Sequence, residues 1–282
     1  MSLTNREEQL LHEIREWEQT LDEYDQSQIE ITYDEWLHKA VGLVPEHILQ
    51  EYLAKTDDFM FHFTSFIQNT DIQIQAEKQI INTARVFQPD ITGIPELQSL
   101  QIDQLSYICD QQLAKQRLYA LGQGALSGTG KALLVGTDIP ALLFINLQSI
   151  QKAAMSYGYN IHTPFELMMT LKVFHTALLP PELQKTGWLE LTEEIEHGVD
   201  PYFYEGRDQV VTESLVYKAV AQIVKSFLIV ILKRKAYGRI PLLGMAIGGG
   251  MNYTFTKQVT DYAKRFYQYR LLIEKVNTEA GI

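Results

Sequence analysis

Glycine and alanine recur every fourth residue in two stretches of this chain, Gly124, Gly128, Ala132 and Gly136, and then Gly244 and Gly248 with Asn252 in the next step. Inside a helix each glycine costs about 1 kcal/mol relative to alanine, so a periodic run of them calls for a compensating contact. Small residues at i and i+4 line one helical face and let a second backbone approach closely. The two stripes are therefore expected to be helix-packing faces that lie against each other. No useful strand alternation and no regular repeat is present. The fold class that follows is all-α: a multi-helix bundle with closely packed small-residue central helices and a C-terminal helical hairpin.

Start and stop signals divide the 282 residues into helices. Thr4 with Glu7 forms a capping box ahead of the stripe Leu10, Ile14, Trp17, Leu21 and Tyr24. Asp57 and Asp58 head a long pattern reaching Val86, and residues 87 to 98, with Pro89, Gly93 and Pro95, form the main irregular connection. This suggests an acidic N-terminal helical region, 1–98, packed on a core, 99–282. Asp138 with Pro140 opens a helix that Gly158 closes. Thr163, Pro164 and Glu166 combine cap, first-turn proline and capping-box partner. The last third reads as a hairpin with a break at Gly238 and a restart at Pro241. Its second arm carries Tyr262, Phe266, Tyr269, Ile273 and Val276 on one stripe, with Lys264, Arg265, Arg270 and Lys275 on its other faces.

Composition, with 46% hydrophobic residues, is that of a folded globular chain. The single cysteine, Cys109, sits in an apolar run and excludes an intramolecular disulfide, which fits a reducing cytoplasm. The net charge of −11 is unevenly spread. Residues 1–60 hold four basic and fifteen acidic side chains, and residues 222–282 hold ten basic and three acidic. Either the molecule is dipolar, or the two ends pack together and neutralise each other. Residues 240–256 form an uncharged run that only reaches the lower limit for a membrane span. Peripheral attachment through Lys233, Arg234, Lys235 and Arg239 is the alternative to a solvated basic face.

Recognised chemistry is sparse. The Gly122–Lys131 segment misses the phosphate-binding loop at Ala125 and Ala132, and the dinucleotide fingerprint at Ser127. Two Glu-x-x-His pairs, Glu35 with His38 and Glu194 with His197, lack the further glutamates that a di-iron bundle needs, so no metal or cofactor is expected. Nucleic-acid binding does not fit the negative charge. Asp138, Tyr157, Tyr159 and Asn252 are polar groups in apolar surroundings and form a candidate pocket for a small molecule or lipid, or for a hydrolase if the chain is an enzyme.

The order of features resembles the EcsC family: Glu7-Glu8-Gln9-Leu10-Leu11 through Trp17, a small-residue stretch ending in Gly128-Thr129-Gly130, Asp138-Ile139-Pro140, Tyr157-Gly158-Tyr159, and Ile240-Pro241 with Gly244, Gly248 and Asn252. The resemblance implies an intracellular helical protein, in some bacteria encoded beside an ABC-type transporter, with a loosely assigned hydrolase label. The expected function is that of a non-enzymatic accessory protein at the inner face of the cell membrane. Its partner would be an anionic membrane surface or a membrane protein.

Overall fold

The structure is a computed structural model. It describes residues 3–21, 70–127, 135–179, 181–196 and 241–280, and only the backbone course of 127, 135–140, 181–183, 241–248 and 279–280. The described residues are almost wholly helical and contain no strand. Their elements are α1 (Asn5–Thr20), α2 (Asp71–Phe87), a 3-10 turn (Pro95–Ser99), α3 (Ile102–Ser127), α4 (Val135–Ser156), α5 (Pro164–Ala177), α6 (Pro181–Glu196) and α7 (Pro241–Ala280).

The spine is α7, whose 40 residues extend for about 60 Å. Helix α3 runs antiparallel to it. Side-chain bonds fix the register: Ser106 with Gln268, Asp110 with Lys264, Arg117 with Thr260 and Asp261, and Gln123 with Asn252. Helix α4 folds back against α3, pairing Gln148 with Gln116 and Tyr157 with Ser106, and also touches α7. Helix α2 lies on α3 and α4, and the α5–α6 pair closes over α7. Helix α1 lies along the C-terminal half of α7.

The sequence expectation for α7 needs correcting. Tyr262, Phe266, Tyr269 and Ile273 are buried, but so are Val259, Ala263, Tyr267, Gln268, Arg270, Leu271 and Leu272, while Val276 emerges. A helix buried on every side belongs at the centre of a bundle, so its cations do not form a solvated face. Lys264 bonds Asp110, Lys275 bonds Glu7, Arg270 pairs with Glu166 and Glu274, and the Arg265 guanidinium lies 4.5 Å from the Trp17 ring.

Local signals explain the helix ends. The Thr4–Glu7 capping box is complete. Gly158, at φ 86°, ends α4 in a Schellman motif in which Tyr159 N donates to Ala154 O and Gly158 N to Met155 O. Any Cβ there would meet Gln98 Cγ at 2.5 Å. Helix α4 begins at Val135, so Asp138 lies within the helix and not at its N-cap. Thr163 caps α5 by accepting from Glu166 N, yet the Glu166 carboxylate does not reach back as a capping-box partner. It turns inward, because a buried arginine offers a stronger partner than an amide.

Candidate functional site

The Tyr157-Gly158-Tyr159 turn places two phenols against α7. Tyr157 is fully buried, its hydroxyl 3.3 Å from Ser106 Oγ, which in turn accepts from Gln268 Nε2. Tyr159 donates to Glu274 Oε2 at 2.9 Å. Burial raises the pKa of both phenols and keeps them protonated. Beneath Tyr157, burial pushes the Cys109 thiol up to about 12, as befits a packed apolar side chain.

One turn further along α7 is a closed ionic joint that the sequence reading missed. Arg270 pairs through Nη1 with Glu166 Oε1 and donates from Nε to Glu274 Oε1 at 2.7 Å. Its guanidinium carbon stands 3.8 Å from the Tyr159 ring centroid and 5.0 Å from that of Phe165. Tyr267 donates to Glu166 Oε2. Burial pushes the Glu166 carboxyl up and works against the charge on Arg270. The surrounding carboxylates outweigh that effect at the guanidinium, whose pKa is raised. A buried charge is tolerable only when paired and hydrogen-bonded, and these groups satisfy one another. Their chemistry is that of a lock tying α4 and α5 to α7. The signal that could have located it is Arg270 itself, a charge set among Tyr269, Leu271 and Leu272.

Asn252 lies elsewhere. Its Nδ2 donates to Gln123 Oε1 at 2.5 Å, and about 24 Å of helix separates it from the level of Gln268 and Tyr157. Tyr157 and Tyr159 are brought to one region, and Asn252 to another; for Asp138 only the backbone is described. Gly124 is buried within α3. Gly136, Gly244 and Gly248 are placed by backbone in α4 and α7, and Gly128 lies outside the described residues. The close approach of α7 to α3 that the structure describes falls at Gly249, where a Cβ would stand 2.9 Å from the Leu121 carbonyl oxygen and 3.4 Å from Ala125 Cβ. Lys233, Arg234, Lys235 and Arg239 lie outside the described residues.

Two further features escaped the sequence reading. A seam of buried amides runs between α2, α3 and α4, with Gln73 donating to Gln151 and Gln116 to Gln148. Beside it Lys152 is buried with no carboxylate partner among the described residues, and burial, helped by the charge of Lys115, lowers its pKa to about 8. On the outer side, a groove of about 760 Å³ between α2 and α3 is lined by residues including Gln79, Asn82, Phe87, Gln104, Tyr107 and Lys115. Among the described residues no group of His, Cys, Asp and Glu side chains is placed to hold a metal ion.

A central helix wrapped by antiparallel partners, closed at a Tyr-Gly-Tyr turn by a buried arginine joint, defines the class: an all-α bundle organised around one long C-terminal helix. The chain belongs to the EcsC protein family, whose model matches residues 8–272. It is 23% identical to the uncharacterized protein YdbA of Bacillus subtilis (strain 168), over 97% of this chain and 96% of that one. To protein EcsC of the same organism it is 20% identical, over 71% of this chain and 78% of that one. No solved structure matches it.

Proposed function

We propose that this chain is a non-enzymatic accessory protein that docks from the cytoplasmic side on an anionic membrane surface, or on a membrane-protein partner such as an ABC-type transporter. The observation that supports this reading is which cations the fold consumes: those along the C-terminal half of α7 are paired inside the bundle, whereas the cluster 233–239 stands apart from them in the sequence. In the C-terminal half of α7, Lys264, Arg270 and Lys275 are matched by Asp110, Glu166, Glu274 and Glu7, and acidic α1 lies alongside. The other end of α7 starts at Pro241, two residues after Arg239. Lys233, Arg234, Lys235 and Arg239 precede that helix in the sequence and lie outside the described residues. Cations at an anionic bilayer surface contribute about 1 kcal/mol each, so this cluster is sufficient for salt-sensitive attachment. Among the described residues no helix is long and apolar enough to cross a membrane, and the docking proposed is peripheral.

Vesicle co-sedimentation tests the reading. The protein is expected to partition onto phosphatidylglycerol-containing vesicles and not onto neutral ones, and to lose at least tenfold in partition when Lys233, Arg234, Lys235 and Arg239 are changed to Glu. If wild type distributes equally over both vesicle types, or the reversal changes nothing, the charge-driven lipid reading fails.

A further inference from the structure

Two lysines and an unpaired amide meet where α2, α3 and α4 come together. Lys152 on α4 is 5% accessible and has no carboxylate or hydrogen-bond partner among the described residues. One turn earlier on the same helical face, Gln148 Oε1 accepts from Gln116 Nε2 at 2.9 Å. That single bond leaves Gln148 Nε2 a buried donor and Gln116 Oε1 a buried acceptor, both unpartnered. Reversing the two amides together would only exchange their parts, so one donor and one acceptor stay unmet in either orientation. The antiparallel register of α3 and α4, 116 with 148 and 106 with 157, sets Lys152 level with residues 111–112, within about one turn of Lys115. Lys115 has only a neutral neighbour, Gln79 Oε1 at 3.4 Å, and forms no ion pair among the described residues.

Each unmet group has a remedy of its own, but one ligand serves them all. Deprotonation relieves Lys152, whose pKa burial and the charge of Lys115 already lower to about 8, yet it does nothing for the amide of Gln148. A water molecule accepts from that amide but brings no charge to offset two ammonium groups. An oxyanion does both, since a buried charge is tolerated when it is paired and a buried N–H when it has an acceptor. The unmet acceptor then selects among oxyanions. Gln116 Oε1 needs a donor, which hydrogen phosphate carries on its hydroxyl and acetate or sulfate at neutral pH does not. Two lysines also match the charge of a phosphate dianion. Lys115 is exposed and lines the α2–α3 groove, so this edge of the junction is open to solvent.

We infer that the junction of α2, α3 and α4 is a binding site for a phosphate group: Lys152 and Lys115 hold its charge, Gln148 Nε2 donates to an anionic oxygen, and Gln116 Oε1 accepts from its hydroxyl. Helix α3 supplies Lys115 and Gln116, α4 supplies Gln148 and Lys152, and α2 is fixed beside them by the bond from Gln73 to Gln151. Charge-assisted bonds from ammonium to phosphate are the strong class of hydrogen bond, so the two lysines set the affinity and the amide pair sets the preference. The site uses none of the residues of the docking reading, and either can fail without the other.

Titration of the full-length protein with inorganic phosphate at pH 7, against chloride at constant ionic strength, provides the test, read by calorimetry and by the thermal unfolding midpoint. Phosphate should bind saturably and raise the midpoint, with sulfate and acetate at least about tenfold weaker. Lys152→Met should abolish both the heat and the shift. Lys115→Met, at an exposed position, should weaken binding while leaving the midpoint without phosphate unchanged. Glycerol 3-phosphate separates the two sources of the ligand, because its dianion lacks the hydroxyl: weaker binding than phosphate marks a site for the free ion, and equal or tighter binding marks a site for the phosphate head of a larger molecule. Absence of a saturable response beyond that of chloride, or an unchanged response in Lys152→Met, overturns the site. Sulfate binding as strongly as phosphate overturns the assignment to phosphate.

Discussion

Two buried cations show how burial sorts side chains by what surrounds them. Arg270 is sealed among two carboxylates and two aromatic rings, so its charge is retained. Lys152, 5% accessible, is desolvated and feels the like charge of Lys115. Its pKa falls from 10.5 in the ordinary case to about 8. Between these values the unfolded chain holds a proton that the folded one has released, so stability rises as the pH climbs through this window. Below it, the desolvated ammonium is a standing penalty on the order of 3 kcal/mol. Lys152→Met, which keeps the unbranched stem, is therefore expected to raise the urea midpoint at pH 7 and to flatten the gain seen between pH 8 and pH 10. An unchanged midpoint and slope would mean that the ammonium is solvated.

At the scale of the helix pair, two adjacent glycines make opposite predictions. A methyl group on Gly249 would press on the Leu121 carbonyl oxygen, backbone that cannot swing aside, whereas one on Gly250 would meet nothing within 4 Å. Gly249→Ala should destabilise by about 1–3 kcal/mol through overpacking between α7 and α3. Gly250→Ala should stabilise by up to about 1 kcal/mol, since it removes backbone freedom from the unfolded chain without a steric conflict. Chemical denaturation of the two variants side by side decides the matter; equal effects would show that α7 and α3 are not in close contact at this point.

Across the whole molecule, α1 is tied to the far end of the spine by Glu7. Burial would raise its carboxyl, but bonds from Lys275 Nζ at 2.5 Å and from Thr4 outweigh that and hold it below the ordinary value of 4.5. With the folded pKa depressed, the stabilisation is complete above about 4.5 and is lost as the pH falls through the folded value. Glu7→Gln should cost about 1–3 kcal/mol at pH 7 and remove that part of the acid sensitivity, read from unfolding midpoints at pH 7 and pH 3.5. The consequence reaches beyond α1, because Trp17 on this helix packs against Trp188 and Tyr262 with ring centroids 4.9 and 5.9 Å apart. Loosening its first turn should also expose that aromatic cluster to fluorescence quenchers.

The amino-acid sequence by itself determined what is local: the helical character of the described residues, the capping box at Thr4, the Schellman stop at Gly158 and the proline start of α5. Each depends on hydrogen bonds within a few residues and on apolar period, so neighbouring letters suffice. Tertiary structure alone decided where the charges of α7 go, because an arginine on an amphipathic helix is written the same way whether it faces water or Glu166, more than a hundred residues away. It also decided that Glu166 leaves its cap to meet Arg270 and that Asn252 lies far from Tyr157. Those outcomes follow from helix register and burial, which couple positions distant in the chain.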